Sequence, residues 1–162
     1  MSPQDAFDDP QFLADCREEL KKVRKIVASE LRRKFGKYSA SDKPLIEAME
    51  SGDDTELPRG RDWDKEIISG IHANPSMNHV HIHVLSREMV SESMKKRNHY
   101  LSFTTDFLVG LEDFPLSEGD YRRHYSHFPG DMFCWRCGRN FEHKMAKLHD
   151  HLQKEFEAWI RE

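Results

Sequence analysis

A short run of alternating histidines is the most chemically informative feature of the sequence. His79, His81 and His83 are separated by single apolar residues, and a further valine follows them. In an extended strand, side chains two residues apart point to the same side, so the imidazoles share one face and the apolar residues the other. Burial of the apolar face would fix the register. The pattern predicts a strand over residues 79–85 with three converging imidazoles.

Three converging imidazoles suit two kinds of chemistry. Their neutral nitrogens can bind zinc, or one ring can attack phosphorus while its neighbours orient it and transfer protons. A solvated strand face that is rich in histidine by chance is the third interpretation. The turn through Ser76 favours phosphorus chemistry, because its hydroxyl and nearby backbone N–H groups could stabilise an oxyanion and would serve no purpose in a structural zinc site.

Two cysteines near the C-terminus have the spacing of a metal-binding knuckle. Cys134 and Cys137 are separated by two residues, and two thiolates need two more ligands to complete a tetrahedral zinc site. The helix that follows must supply them. The histidines available there are His143, His149 and His151.

Helical spacing narrows the choice of the remaining ligands. His149 and His151 are two residues apart, so they face different sides of a helix and cannot both reach one ion. Glu155 lies one turn beyond His151 on the same face, whereas Gln153, one turn beyond His149, is a poor zinc ligand. Geometry therefore favours one structural zinc ion on Cys134, Cys137, His151 and Glu155. The alternative is a reduced, metal-free cysteine pair beside a histidine-rich helix.

Composition limits the classes of protein that fit. The chain has 162 residues, of which 37% are hydrophobic and 33% charged, with a formal net charge of −4. That size fits one ordinary domain, or a small domain with a metal-stabilised appendage. No apolar run approaches the roughly 18 residues of a membrane span, and residues 1–10 lack the apolar core of a secretory signal. Three cysteines, two of them in the knuckle, argue against a disulfide framework and favour a reducing, intracellular setting.

The small net charge of the whole chain conceals a strong charge asymmetry between two segments. Residues 17–37 contain nine basic and three acidic residues, a local charge of +6, whereas residues 42–66 contain nine acidic and four basic residues, a local charge of −5. The basic segment could present a cationic face to a phosphate backbone. A solvated helix face is the simpler alternative.

The rest of the sequence predicts the elements that position these residues. Asp9 and Pro10 are typical of a helix start, and Gly36 of its end. Apolar residues spaced by three or four along this segment predict one buried stripe; they are Phe12, Cys16, Leu20, Val23, Val27 and Leu31. A strand is predicted over residues 63–72, pairing antiparallel with the histidine strand, and a helix over residues 144–160.

Three segments lack a clear pattern. Residues 39–61 are rich in Ser, Asp, Gly and Pro, which predicts a long acidic loop with one helical turn near residues 45–49. Residues 91–97 are expected to form a short polar and basic segment. Residues 101–130, with two prolines and several aromatic residues, are expected to be irregular.

A longer stretch around the histidines resembles a known family. Residues 79–85 read H-V-H-I-H-V-L, which is similar to the histidine-triad motif of nucleotide hydrolases and transferases. Residues 71–78, I-H-A-N-P-S-M-N, resemble the aprataxin branch of that superfamily, and the similarity continues through residues 86–89, 91–96, 97–100 and 101–103. The finger of that branch has the layout of the knuckle described above, and some of its members carry glutamate where others have a second histidine.

The resemblance implies a repair function. Aprataxin-like proteins remove AMP from the 5′-adenylated DNA that abortive ligation leaves, which places them in the nucleus and in single-strand break repair. By this resemblance His81 would attack the AMP phosphorus and form an adenylyl-histidine, His79 and His83 would hold and polarise the site, and His72 and Ser76 would line the phosphate pocket. DNA contacts are expected from Lys95, Lys96, Arg97 and His99 beside the site, and from Arg136, Arg139 and Lys144 on the finger.

The resemblance also implies a fold and partners. The expected class is α+β, with a histidine-triad (HIT-like) antiparallel sheet and a long helix, followed by a small zinc-finger helix domain. The HIT-like part is expected to be incomplete at its N-terminus, because the similarity begins only near Phe12. The expected domains are a partial HIT-like domain over residues 8–110, a connecting segment over 111–130 and a C2HE zinc finger over 131–162. Expected partners are one structural Zn²⁺, DNA with 5′-adenylated ends, RNA–DNA junctions as a further class of end, and AMP as product. No membrane is involved, and the complete protein would be a monomer.

Two other functions fit the same residues. One is a zinc-dependent DNA-binding module whose histidines are catalytically inert. The other is a general histidine-triad nucleotide phosphoramidase that ignores DNA.

Overall fold

Helices surround a small antiparallel sheet in this computed structural model, which describes residues 2–52, 56–77 and 79–162. The α+β class predicted from the sequence is confirmed. The helices are α1 (Pro3–Phe7), α2 (Pro10–Phe35), α3 (Lys43–Ser51), α4 (Arg97–Thr104) and α5 (Met145–Trp159), and the strands are β1 (Ile67–His72), β2 (His83–Ser86) and β3 (Leu108–Val109). Residues 53–55 of the predicted acidic loop, and Asn78 of the family-like stretch, lie outside the described residues.

The long helix α2 begins and ends where the sequence predicts. The Asp9 carboxylate accepts hydrogen bonds from the backbone N–H groups of Gln11 and Phe12, at 2.9 and 3.2 Å. Pro10 occupies the first turn and Gly36 is the C-cap. An N-cap carboxylate satisfies N–H groups that have no partner within the helix.

The predicted apolar stripe of α2 faces the core along most of its length. Leu31 is buried, and Cys16, Leu20 and Val27 pack half-buried against the core. Phe12 and Val23 of the stripe are exposed, and Leu13, outside the stripe, is buried in a cluster with Ile71 of β1. Among the described residues, no helix has both the length and the apolar character that a membrane crossing requires.

The sheet has the order β2–β1–β3 and is antiparallel throughout. The predicted pairing of β1 with the histidine strand is confirmed, but both strands are shorter than predicted. Residues 63–66 form a 3₁₀ turn, and the β1–β2 ladder ends at the pair Gly70–His83, so residues 79–82 lie outside it. Val80 and Ile82 still pack against the core beneath the sheet. Residues 79–82 form no ladder hydrogen bonds, so the burial of these two side chains determines which side of the segment faces the core.

Gly70 allows β3 to approach β1 closely. A Cβ atom at this position would lie 2.4 Å from the carbonyl oxygen of Val109, well inside van der Waals contact. The absence of a side chain at Gly70 therefore permits the close β1–β3 pairing, which includes the pair His72–Leu108.

One helix is longer than predicted and another was not predicted. The helix α3 extends the helical turn predicted near residues 45–49 to nine residues; Pro44 lies in its first turn and Gly52, with a φ of +65°, ends it. The helix α4 extends into the region predicted to be irregular, where it buries Tyr100 and Leu101 against the finger. Both helices are short, so tertiary packing rather than long periodicity determines them.

Buried charges join α2 and the loop before β1 to the C-terminal helix. The Asp42 carboxylate is fully buried and accepts hydrogen bonds from the backbone N–H of Arg61 and the indole N–H of Trp63, at 2.7 and 2.6 Å. The Arg61 guanidinium lies over the rings of Trp63 and Trp159 and donates to the Trp159 carbonyl at 2.6 Å. This contact holds the end of α5 against the segment that leads into β1.

Tyr100 makes a second connection between the two parts of the chain. Its side chain is fully buried, and its hydroxyl donates to the carbonyl oxygen of Phe133 at 2.7 Å while accepting the backbone N–H of Trp135 at 3.1 Å. Burial raises the pKa of this phenol. The two bonded residues flank Cys134, so α4 directly supports the cysteine knuckle.

Replacing Tyr100 with phenylalanine is expected to destabilise the chain by about 1–3 kcal/mol, because the Trp135 N–H and the Phe133 carbonyl would lose their buried partner. Urea unfolding followed by circular dichroism measures the loss. Tyr38→Phe is the matched control, since Tyr38 is 51% exposed. Equal stability of the two variants would contradict a supporting role for the Tyr100 hydroxyl.

Candidate functional site

Four histidine rings lie in a row on one side of the sheet. The ring centroids are 6.0 Å apart for His79 and His81, 5.0 Å for His81 and His83, and 4.2 Å for His83 and His72. We call these four residues the histidine row. His79 is exposed and the other three are half-buried. The three alternating histidines therefore come together as the sequence predicts, with His72 of β1 at the buried end.

The hydrogen bonding of His81 identifies its free nitrogen. Nδ1 of His81 lies 3.1 Å from the carbonyl oxygen of His79. A carbonyl oxygen can only accept, so this contact requires the proton on Nδ1 and leaves the lone pair on Nε2. A neutral imidazole with Nε2 unprotonated is the form that can act as a nucleophile.

The inner end of the histidine row holds neutral rings. Burial, followed by the charges of His83 and His81, lowers the pKa of His72 to about 4. Burial, followed by the charge of His81, also lowers the pKa of His83. Neither the His72 Nε2 nor the His83 Nε2 has a hydrogen-bond partner among the described residues, and both atoms are buried. A polar ligand at the inner end of the histidine row would satisfy them.

The depressed pKa of His72 predicts a stability that falls with acidification. An unfolded imidazole titrates near 6.5 and the folded one near 4, so the unfolded chain binds more protons between these values. Stability is thus fully present above about pH 6.5 and is lost as the pH falls towards 4, by less than about 1.4 kcal/mol per pH unit for this one group.

Urea unfolding at intervals from pH 7.5 to 4.5 measures this dependence. His72→Phe should show a shallower decline, because the substituted ring binds no proton and the aromatic neighbours Phe103 and Phe107 lie 5.0 Å away. Identical slopes for the variant and the parent chain would contradict the assignment.

A small hairpin carries the two knuckle cysteines. Its backbone pairing includes hydrogen bonds from the N–H of Cys134 to the carbonyl of Arg139 at 2.9 Å and from the N–H of Gly138 to the carbonyl of Cys134 at 2.9 Å. Gly138 has a φ of +72°, in the left-handed region that favours glycine. This turn places both sulfur atoms on the side that faces α5.

The thiols and one histidine form a group that fits a metal ion. Ligand atoms of Cys134, Cys137 and His151 all lie within 4.8 Å of one another, and the Cys137 Sγ is 3.2 Å from the His151 Nε2. Tetrahedral zinc with its usual bond lengths requires about 3.5 Å between such a sulfur and nitrogen. The donor set and its spacing therefore match zinc.

Glu155 lies beside this group but is partly engaged elsewhere. Its Oε1 is 3.4 Å from the His151 Nε2, as the predicted helical spacing requires, while its Oε2 accepts a hydrogen bond from Arg136 at 2.6 Å. The other predicted candidates, His143 and His149, do not belong to the group among the described residues.

Comparisons with known proteins match both parts of the chain. Residues 6–99 match the family described as scavenger mRNA decapping enzyme C-term binding, and residues 104–158 match the C2HE / C2H2 / C2HC zinc-binding finger. The aprataxin-like protein of Schizosaccharomyces pombe is 44% identical over 95 residues, which are 58% of this chain and 40% of that protein. The chain belongs to the aprataxin-like family. The predicted resemblance is confirmed.

Solved structures of the family share the fold. The crystal structure of the aprataxin ortholog Hnt3 from Schizosaccharomyces pombe superposes with a TM-score of 0.70 at 27% identity, covering 99% of this chain and 70% of that one. A second structure, of Hnt3 in complex with DNA, gives a TM-score of 0.69 at 25% identity, with 99% and 72% covered. The chain spans about two fifths of the length of the curated yeast relatives that it matches.

The basic side chains predicted to contact DNA differ in whether other residues of the chain already bind them. Lys96 and Arg139 are exposed, and no carboxylate of the described residues forms an ion pair with either. Lys95 and Lys144 pair with Glu92 and Glu142, surface contacts of the kind that contribute little to stability and exchange readily.

The remaining predicted DNA contacts are held by the chain itself. Arg97 donates to the carbonyls of Pro129 and Gly130. Arg136 pairs with Glu155 and Glu162. The exposed His99 has its Nδ1 3.0 Å from the Ser93 carbonyl. Ser76, predicted to line the phosphate pocket, is exposed in the turn before the histidine row.

Sequence reasoning missed the aromatic wall of the histidine row. The ring of Phe103 lies 5.0 Å from that of His72 and 5.1 Å from that of His83, and Phe107 lies 5.0 Å from His72. These rings desolvate the inner histidines and thereby depress their pKa values. The only signal in the sequence was the position of Phe103 at the end of the family-like stretch.

Proposed function

We propose that the chain removes AMP from 5′-adenylated DNA through a covalent adenylyl-histidine on His81. The observation that carries this proposal is the contact between the His81 Nδ1 and the His79 carbonyl, which leaves Nε2 with its lone pair beside two neutral imidazoles. Membership of the aprataxin-like family supports the choice of an adenylated nucleic-acid end as substrate.

The reaction proceeds in two displacements at the AMP phosphorus. In the first, the His81 Nε2 forms a bond to phosphorus while the bond from phosphorus to the oxygen of the DNA 5′-phosphate breaks, so that the 5′-phosphate leaves with the electron pair. In the second, water attacks the adenylyl group, the phosphorus–nitrogen bond breaks, and the water proton passes to solvent. The His79 carbonyl stabilises the positive charge that develops on the His81 ring, because it keeps its hydrogen bond to Nδ1.

The other histidines bind and polarise the phosphate. His83 and His72 have neutral rings, and an N–H on each unpartnered Nε2 would donate to phosphate oxygens. His79 is exposed at the outer end of the histidine row, where it can orient the leaving group. The hydroxyl and backbone of Ser76 supply further donors from the turn.

We propose that zinc on Cys134, Cys137 and His151 stabilises the finger, with Glu155 as the fourth ligand. When bound, zinc would contribute folding energy and no chemistry, because four protein ligands close its coordination sphere. Glu155 would offer its Oε1, which lies 3.4 Å from the His151 Nε2, while its Oε2 accepts the hydrogen bond from Arg136. Glu155→Gln should therefore weaken zinc binding, whereas Glu157→Gln, an exposed neighbour on α5, should not.

DNA is the proposed partner. Lys96 and Arg139 are its leading contacts because no carboxylate in the part of the chain that the structure describes pairs with either. The crystal structure of Hnt3 in complex with DNA supports this partner, because that protein shares the fold of this chain. Each phosphate contact that is lost should reduce the dependence of affinity on salt by about one unit of slope. A nuclear location follows from the proposed substrate.

AMP release from a nicked duplex with a 5′-adenylate tests the proposal. The chain, loaded with zinc, is incubated with this duplex and, separately, with adenosine 5′-phosphoramidate, and AMP is quantified by chromatography. Preferential release from DNA is the expected result. Release from the phosphoramidate alone would favour a general phosphoramidase, and salt-sensitive DNA binding without any release would favour an inert binding module.

A further inference from the structure

The side chain of Arg136 joins the proposed zinc ligands to the C-terminal end of the chain. Its Nη1 donates to the Glu155 Oε2 at 2.6 Å, and its Nη2 donates to the Glu162 Oε1. The guanidinium is a planar fork of donors, so a single arginine can hold two carboxylates in a defined geometry. The sequence analysis expected Arg136 to contact DNA, and that role leaves both of these contacts unexplained.

The bond from Arg136 leaves one oxygen of Glu155 for a metal. The Glu155 Oε1 lies 3.4 Å from the Nε2 of His151, on the side of the two thiols. A tetrahedral zinc site takes one donor atom from each of its four ligands. Only 29% of the Arg136 side chain and 18% of the Glu155 side chain are exposed, so this ion pair is more ordered than a surface pair. It holds the carboxylate in an orientation that offers Oε1 alone.

A chain of alternating charges anchors Arg136 in turn. The Glu162 Oε2 lies 3.6 Å from the Arg61 Nη2, and the same Nη2 lies 3.2 Å from the Glu66 Oε1. The Arg61 side chain is only 6% exposed, and the Glu66 carboxylate also accepts the indole N–H of Trp159 at 2.6 Å. Glu66 directly precedes β1, so the contacts of Arg136 connect the finger to the segment that leads into the sheet.

Charge and orientation predict opposite effects of Arg136 on zinc. A cation beside a metal site repels Zn²⁺ and competes with it for the carboxylate of Glu155, so charge alone predicts tighter zinc binding when Arg136 is neutralised. A hydrogen bond that orients a metal ligand has the opposite effect, and its loss typically weakens metal binding by about 10- to 100-fold. The direction of the change therefore distinguishes the two effects.

We infer that Arg136 is a positioning residue for zinc, which orients Glu155 as the fourth ligand and is itself held in place by Glu162. This inference rests on the proposed function, because the fourth ligand is assigned there. It gives Arg136 a role inside the chain in place of the expected DNA contact. It also makes zinc affinity depend on the packing of α5 against the segment before β1.

Zinc affinity of the full chain tests the inference. The probe is Zn²⁺ itself, titrated in competition with a chromogenic chelator of known affinity. Arg136→Gln should bind zinc about tenfold more weakly or worse than the parent chain. Lys154→Gln is the matched control, because it removes the same charge from an exposed residue next to Glu155 on α5; its affinity should stay within about twofold of the parent.

A double-mutant cycle tests the part assigned to Glu162. Glu162→Gln should weaken zinc binding by about threefold in the parent chain and by nothing further in Arg136→Gln, because Glu162 acts only through that arginine. Glu157→Gln, which removes an exposed carboxylate of α5, should have no effect in either background. The same loss from Glu162→Gln in both backgrounds would overturn the link between Glu162 and Arg136.

The absorption spectrum of the chain loaded with Co²⁺ is a readout that a purely structural role would not change. The charge-transfer band reports the two thiolates, and the visible bands report the complete ligand set and its geometry. Arg136→Gln should keep the charge-transfer band and should shift the visible bands in the same direction as Glu155→Gln does. Lys154→Gln should give the spectrum of the parent.

The outcomes separate this inference from the proposals on which it rests. Zinc binding by Arg136→Gln that equals or exceeds that of the parent, while Glu155→Gln binds weakly, would overturn the inference alone. Unchanged zinc binding by Glu155→Gln would overturn the proposed fourth ligand and the inference together. Failure of AMP release by the parent chain would overturn the proposed catalytic function, and the zinc titrations would still decide the role of Arg136.

Discussion

Replacing His81 with alanine is expected to reduce AMP release from an adenylated nick by about 10⁴-fold or more, which is the usual scale for loss of a catalytic nucleophile. No neighbour can take over the attack. His79 is exposed with its ring 6.0 Å away, and His83 has its ring 5.0 Å away and is packed against Phe103. Chromatographic quantification of AMP under single-turnover conditions measures the effect.

The control for this substitution is His127→Ala. His127 is exposed and contacts its neighbour Ser126, so its removal should leave AMP release within about twofold of the parent. DNA affinity should be similar for both variants, because His81 acts on the adenylate phosphorus rather than on the duplex. Retention of more than a tenth of the parent rate by His81→Ala would contradict nucleophilic catalysis at this residue.

Removal of zinc is expected to have the largest effect on stability. The finger hairpin and α5 bury Cys134, Leu148 and Leu152 in a core that also includes Tyr100, so loss of the metal should loosen both parts of the chain. We expect a chelator to lower the unfolding free energy by at least about 3 kcal/mol, which corresponds to a decrease of about 6–12 °C in Tm for a chain of this size. Differential scanning calorimetry with and without the chelator measures it.

Cysteine variants identify the thiols responsible. Cys137→Ala should have the low Tm of the chelated chain and should no longer respond to chelator, because Cys137 is exposed and its thiol has no packing role. Cys16→Ala, a half-buried cysteine of α2, should lose a little packing energy but keep the full response to chelator. A parent chain whose Tm ignores the chelator, and which contains no zinc by elemental analysis, would contradict the proposed site.

Local sequence signals were sufficient to predict the helices that have strong caps or a long apolar period. The bounds of α2 follow from Asp9, Pro10 and Gly36, and the predicted C-terminal helix corresponds to α5. The helix α3 was predicted only as a single turn because its nine residues are too few for a convincing period. Its full length depends on the buried Asp42, whose partners come from α2 and from the loop before β1. Such long-range partners leave no trace in local sequence.

At the histidine row and the finger, too, local sequence patterns predicted some contacts and long-range packing determines the others. Strict alternation was enough to bring His79, His81 and His83 together, although the ladder includes only the last of them. Spacing alone could not reveal that Arg136 is held by Glu155 and Glu162, nor that Phe103 closes the inner end of the histidine row. These contacts join residues between 19 and 26 positions apart, so they depend on the packing of the whole chain.

Detection of the covalent intermediate tests the central claim most directly. The zinc-loaded chain is mixed with a stoichiometric amount of adenylated nicked duplex, quenched in alkali to preserve the phosphorus–nitrogen bond, and digested for mass spectrometry. The mechanism predicts one AMP per chain, attached to His81, that forms and decays at rates consistent with AMP release. Attachment to any other residue, or complete turnover through which no adduct can be trapped, would contradict it.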